Sequence, residues 1–163
     1  MDSTRNPTPT KDQLIKKYDL FVHPEGGYYK EVFRSETKVA SPIHNQLRNA
    51  VTHIYFLLGE KDISRFHKVL HDEIWNFYDG APIRLVRFDN KQVTEEIIGP
   101  DSSQYVCIIK GGCYQAAEST GDYTLVGCTV APGFDFKDFS FLKDNKNDLE
   151  HFDSFYSKYA KFL

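Results

Sequence analysis

The stretch SRFHKVLHDEIWNFYDG, residues 64–80, constrains the chain more than any other. Glu73, Trp75 and Phe77 are spaced two apart, so in a strand all three point to one face. His67 joins that face if the strand runs uninterrupted from residue 64. A carboxylate beside two large aromatics cannot be buried alone, because desolvating an unpaired charge is costly. It requires a histidine, an arginine or a metal, and the combination reads as a polar site enclosed by β-structure. The plainer alternative is a strand with His67 and Glu73 at its wet ends.

The flanking sequence is also strand-like. Residues 28–34 alternate, 50–58 are almost continuously apolar, and 82–88 alternate apolar residues with Arg. Further short runs follow at 93–98, 105–109, 114–117 and 123–130, separated by turns at Gly59, Asp89-Asn90, Gly99-Pro100, Gly111-Gly112 and Gly121-Asp122. Short strands at such regular spacing predict a sandwich or barrel. Thirteen Phe and ten Tyr suit a ring-lined interior. Helices are expected only near the ends. Thr10 and Gln13 form a capping box that opens a helix over 11–18, and Leu149, Phe152, Tyr156 and Tyr159 mark an amphipathic helix over 148–160. Residues 1–9 read as a disordered lead to a single domain of 163 residues.

Charge narrows the partners. A net charge of −3 without a basic run argues against nucleic acid and anionic membrane surfaces. No apolar run is long enough to span a bilayer, and the first residues lack the apolar segment of a signal peptide. Three cysteines, Cys107, Cys113 and Cys128, suit buried thiols in a reducing compartment, so a cytoplasmic protein is expected. There is no nucleophile elbow or phosphate loop. His23-Pro24-Glu25-Gly26-Gly27 has the Pro and Gly content of a chain reversal.

Four blocks in order carry a resemblance: His23–Tyr29, Ile54–Leu58, Asp72–Trp75 and Val126–Phe134. Together they resemble the fifth-numbered small cupin family, a family of unknown function related in fold to sugar-nucleotide epimerases. The resemblance spans about residues 12–142. It implies an all-β double-stranded β-helix, the cupin jelly-roll barrel, with the ligand inside and a homodimer as the usual assembly. The general cupin metal motif aligns His67, Glu73 and Gly80, but Val69 stands where a second His belongs and Gln115 where a third does. Two of the usual metal ligands are therefore missing. No metal or other cofactor is expected. A metal, if recruited, would use His67 and Glu73, with His44 or His53 entering from another strand and His71 poorly placed to help.

The expected site thus has His67 as catalytic base and Glu73 as its orienting partner. Gln115, Trp75, Tyr55, Phe77, Arg34 and Tyr28 (or its neighbour Tyr29) are the expected binding residues. Pairing with His67 is expected to depress the Glu73 pKa and raise that of His67. The function expected is binding of a small, carbohydrate-like polar molecule, extending to metal-independent epimerisation or isomerisation. A metal-dependent isomerase or oxygenase and a non-catalytic binding or storage protein are the alternatives.

Overall fold

The computed structural model describes residues 8–163, so most of the expected disordered lead lies outside the described residues. Helix α1 (Lys11–Tyr18) begins at the capping box, where Thr10 and Gln13 cap each other's backbone N–H groups. It ends at Asp19 in the left-handed region, φ 53°. Its one fully buried side chain, Leu14, packs with Leu20, Leu57, Tyr123 and Leu125.

The strands form two main antiparallel sheets. The first has the order β1 (Phe21–Val22), β2 (Tyr28–Arg34), β5 (Thr52–Gly59), β12 (Tyr123–Ala131), β7 (Asp72–Gly80) and β10 (Val106–Ile109). The second has the order β13 (Phe139–Phe141), β6 (Ile63–Val69), β11 (Tyr114–Ser119), β8 (Ile83–Asp89) and β9 (Gln92–Ile98). A separate hairpin pairs β3 (Lys38–Ala40) with β4 (Leu47–Asn49). No ladder among the described residues joins the two main sheets. The expected closed barrel is therefore seen as a β-rich, cupin-like pair of facing sheets, the double-sheet form in which jelly rolls wrap. Phe56, Trp75 and Val126 of the first sheet meet Ile83, Leu85 and Ala117 of the second in one core.

One expectation needs correction. The chain does not run as a single strand through residues 64–80; β6 ends at Val69, turns at Leu70-His71, and restarts as β7. His67 and Glu73 therefore belong to different sheets and meet across the space between them. The C-terminal element also differs: α2 covers Lys146–Phe155, capped by Asn145, and a 3₁₀ segment, Ser157–Phe162, follows. The expected start at 148 missed the Asn145 side chain, which accepts from the Asp148 N–H. Phe152 and Phe162 pack on Phe66, and Phe152 also packs on Phe88. No helix among the described residues is long and apolar enough to cross a membrane.

Because Phe152 is fully buried against the second sheet, Phe152→Ala should lower the free energy of unfolding by about 3–5 kcal/mol in urea denaturation. A loss below about 1 kcal/mol would show that α2 is peripheral to the core.

Candidate functional site

A cavity of about 490 Å³ opens between the sheets, with His23, Glu25, His67, Glu73 and Cys128 in its wall. Its geometry begins in the loop before β2. Gly26 and Gly27 both have positive φ, 111° and 71°. At Gly26 an added Cβ would collide with the Ile63 carbonyl, so only glycine lets the loop lie this close to β6. The Glu25 carbonyl then accepts from the Arg65 N–H at 2.9 Å. This places the Glu25 side chain inward, where Oε1 accepts from Ser64 Oγ at 2.8 Å and Oε2 lies 3.0 Å from His67 Nε2.

His67 is held on three sides. Its Nδ1 lies 2.7 Å from the Arg65 carbonyl, which can only accept, so Nδ1 carries a proton. Its ring stacks on Phe139, centroids 5.2 Å apart. Nε2 is left facing Glu25, and when the imidazole is neutral the proton on that contact belongs to the carboxyl. Electrostatics favour this arrangement. Burial raises Glu25 from 4.5 to about 8, against the opposing Ser64 hydrogen bond and the Arg65 charge. Burial lowers His67, although the charge of Glu73 pulls it back upward. His23 is lowered to about 3, by burial and by its proximity to His67.

Glu73 enters from the opposite sheet. It accepts from Gln115 Nε2 at 2.5 Å, and Gln115 Oε1 accepts from the Trp75 indole N–H at 2.8 Å. The Cys128 thiol lies in the same cavity wall. Burial raises Glu73 to about 7, with His67 opposing the shift and Glu25 adding to it. The expected pairing is therefore reversed in sign: Glu73 is raised and His67 lowered, because loss of water outweighs their mutual attraction in this enclosed space. The partner that directly contacts His67 is Glu25, which lies in the Pro- and Gly-rich segment expected only to reverse the chain.

The structure sorts the expected binding residues. Gln115 and Trp75 are fully buried behind Glu73 and do not line the cavity; they orient the carboxyl. Trp75 packs edge-on against Phe56 in the core, and Phe77 packs against that core and Tyr105. On β2 and β5 the strand parity puts Tyr29, Ile54 and Phe56 inward. Tyr28 consequently packs with the α1 cluster, and Tyr55 lies in an outer cleft with Tyr18 and Tyr78. Arg34 does reach the cavity mouth, but bridges Glu31 through Nε and Nη2 at 2.8 and 2.7 Å. Its Nη1 donates to Asn49 Oδ1 and the Phe134 carbonyl.

The residues that cupin metal chemistry would need fit poorly at this cavity. Val69 is apolar, and the Gln115 amide is committed to Glu73 and Trp75. Among the described residues, one group of three ligand-type side chains has its ligand atoms within 4.8 Å of one another: His44, His71 and Asp138. None of the three lines the cavity. Asp138 accepts from Arg48 Nε and Nη2 at 2.7 and 2.8 Å and from His44 Nε2 at 3.1 Å. Two imidazoles and a carboxylate suit a borderline metal ion. The guanidinium on both Asp138 oxygens opposes one electrostatically. His53, the other histidine expected to be able to join a metal, is bonded to Thr129 and Tyr78 on the outer face.

Comparison with known proteins places this geometry. The family described as "Cupin superfamily (DUF985)" matches residues 12–142. The chain is 32% identical to the uncharacterized protein YML079W of Saccharomyces cerevisiae, covering 89% of this chain and 81% of the yeast protein. It is similar to a hypothetical protein from Leishmania major, with a TM-score of 0.77 and 27% identity over 90% of this chain and 98% of that one. An oxalate decarboxylase from Bacillus subtilis shares the fold alone, with a TM-score of 0.57 and 16% identity over 78% of this chain and 31% of its own.

The raised carboxyls have a measurable consequence. Glu25 and Glu73 move from 4.5 to about 8 and about 7, so between those values the folded protein keeps protons that the unfolded chain has released. Stability from these groups is complete below the unfolded value and is lost as pH rises through the folded ones. The lowered histidines act oppositely, but only below their ordinary value of 6.5. Unfolding free energy should therefore fall between about pH 6.5 and 8, and Glu25→Gln should flatten the decline. A wild-type profile already flat over that window in urea titrations would contradict the assignment.

Proposed function

Since the chain belongs to the cupin superfamily, in its DUF985 family, we propose that the cavity binds a small polar, carbohydrate-like molecule and moves protons on it without a metal. One observation carries this reading: two buried carboxyls with pKa values displaced toward neutrality face a fixed imidazole in the same cavity. Groups that titrate near the working pH are the most effective acids and bases.

Their roles follow from their partners. Glu73, oriented by Gln115 and present in both ionisation states near pH 7, acts as the base that removes a proton from a carbon next to a carbonyl. The Glu25–His67 pair, holding a proton between Oε2 and Nε2, returns one from the other sheet. The overall change is an epimerisation or isomerisation, with no net gain or loss of protons. The binding partner is thus a small molecule. Exposed Phe21, Val22 and Phe33 along the β1–β2 edge support a homodimer as the assembly.

A second reading has its own observation. The His44, His71 and Asp138 group supports a metal-dependent isomerase or oxygenase. Metal analysis separates the two: on this reading the purified protein carries a stoichiometric transition metal that His71→Ala removes.

Proton transfer is tested by incubating free aldoses and ketoses with the protein in D₂O and following deuterium at the carbon beside the carbonyl by NMR. Wild type should incorporate label, and Glu73→Gln should slow incorporation by about 10²–10⁴-fold. Sugar binding without incorporation would leave a binding protein and remove the catalytic role.

A further inference from the structure

We infer that the cavity rejects anions and takes a hydroxylated ligand that is neutral or carries an amine, such as a free or amino sugar. Sugar phosphates, nucleotide sugars and dicarboxylates are excluded. This deepens the small-molecule reading above and rests on it.

Arg34 is the one Lys or Arg side chain in the cavity wall among the described residues, and four of its five donors are committed. Of the five N–H groups on a guanidinium, two point at Glu31 and the two on Nη1 serve Asn49 and the Phe134 carbonyl. The wall carries four carboxyls, Glu25, Glu31, Glu73 and Asp135. The two imidazoles, His23 and His67, are both lowered by burial and supply no positive charge near neutral pH. An entering phosphate or carboxylate would lose its water, find no unpaired cation and face the Asp135 carboxylate and the ionised fraction of Glu73. A hydroxyl group meets the opposite situation. It can donate to an ionised Glu73 or to the remaining lone pairs of Glu25, while an ammonium group is favoured by either carboxyl once ionised. Tyr29 and Phe134 offer ring faces for the apolar side of a sugar.

The same geometry identifies the gate on charge. The Glu31 carboxylate holds Arg34 bidentately, so Glu31→Gln should release the guanidinium toward the cavity and admit anions.

The test uses the full chain with glucose, galactose and mannose, each as the free sugar, the 2-amino sugar and the 6-phosphate, together with oxalate. Binding is measured by calorimetry and by NMR shifts of the His67 and Phe136 rings, both in the cavity wall. Free and amino sugars should bind with the 6-phosphates and oxalate at least about tenfold weaker, and Glu31→Gln should narrow that gap by about threefold or more. An anion that binds wild type as tightly as its neutral counterpart overturns the inference while leaving the small-molecule reading intact. An unchanged gap in Glu31→Gln overturns the role given to the Arg34–Glu31 pair. If no probe shifts the cavity rings at about 100 mM, well beyond useful affinity, the carbohydrate reading falls and the inference with it.

Discussion

Two carboxyl groups shut between two sheets dictate much of this structure. Glu25 comes from the loop leading into the first sheet and is met by Ser64 and His67 on the second. Glu73 comes from the first sheet and is met by Gln115 on the second. A buried acid without partners loses the water it had in the unfolded chain and gains nothing in return. Each carboxyl therefore fixes the position of the strand opposite it, at the place where apolar packing gives way to a cavity. Trp75 and Phe56 seal the apolar side of this polar layer, and the Trp75 indole N–H closes the hydrogen-bond chain at Gln115.

The sequence made the local structure legible and left the meeting of distant parts hidden. Capping by Thr10 and Gln13, the turns between strands, and the alternation at Glu73 and Trp75 all depend on near neighbours, and the structure follows them. The break at Leu70-His71 was missed because neither residue is a Gly or Pro, yet it decides that His67 and Glu73 face each other across sheets. Tyr28 and Tyr29 differ only in parity, which no adjacent pair of tyrosines reveals. Glu25 was hidden for another reason. The turn residues around it already accounted for the segment, so its side chain needed no further explanation. A His and a Glu two apart inside a Gly-rich reversal were the available signal.

The mouth of the cavity shows how two arginines can act as struts. Arg34 grips the Phe134 carbonyl, Thr52 Oγ1 accepts from the Phe134 N–H at 2.9 Å, and Arg48 grips Asp138 four residues on. The segment between carries Phe136, which lines the cavity and packs against Phe134 and Phe139. Phe139 in turn stacks on His67. Anchoring at residues 134 and 138 thus reaches the imidazole through a continuous series of rings. The β3–β4 hairpin takes part as well, because Arg48 lies on β4 and His44 in the loop between the strands.

Seen this way, the His44, His71 and Asp138 group needs no cation to explain its burial. Asp138 is held below the usual carboxylate range, chiefly by its Arg48 hydrogen bonds, and so remains charged and paired. His71 is held by the Ser41 hydroxyl at 2.8 Å and is lowered mainly by burial. A metal ion here would compete with Arg48 for both Asp138 oxygens. Its gain must exceed the loss of a bidentate, nearly dry ion pair, and breaking such a pair leaves a guanidinium buried without its partner. The fold already uses Asp138 to hold the rim, so an ion bound by His44, His71 and Asp138 has to share that carboxylate with Arg48.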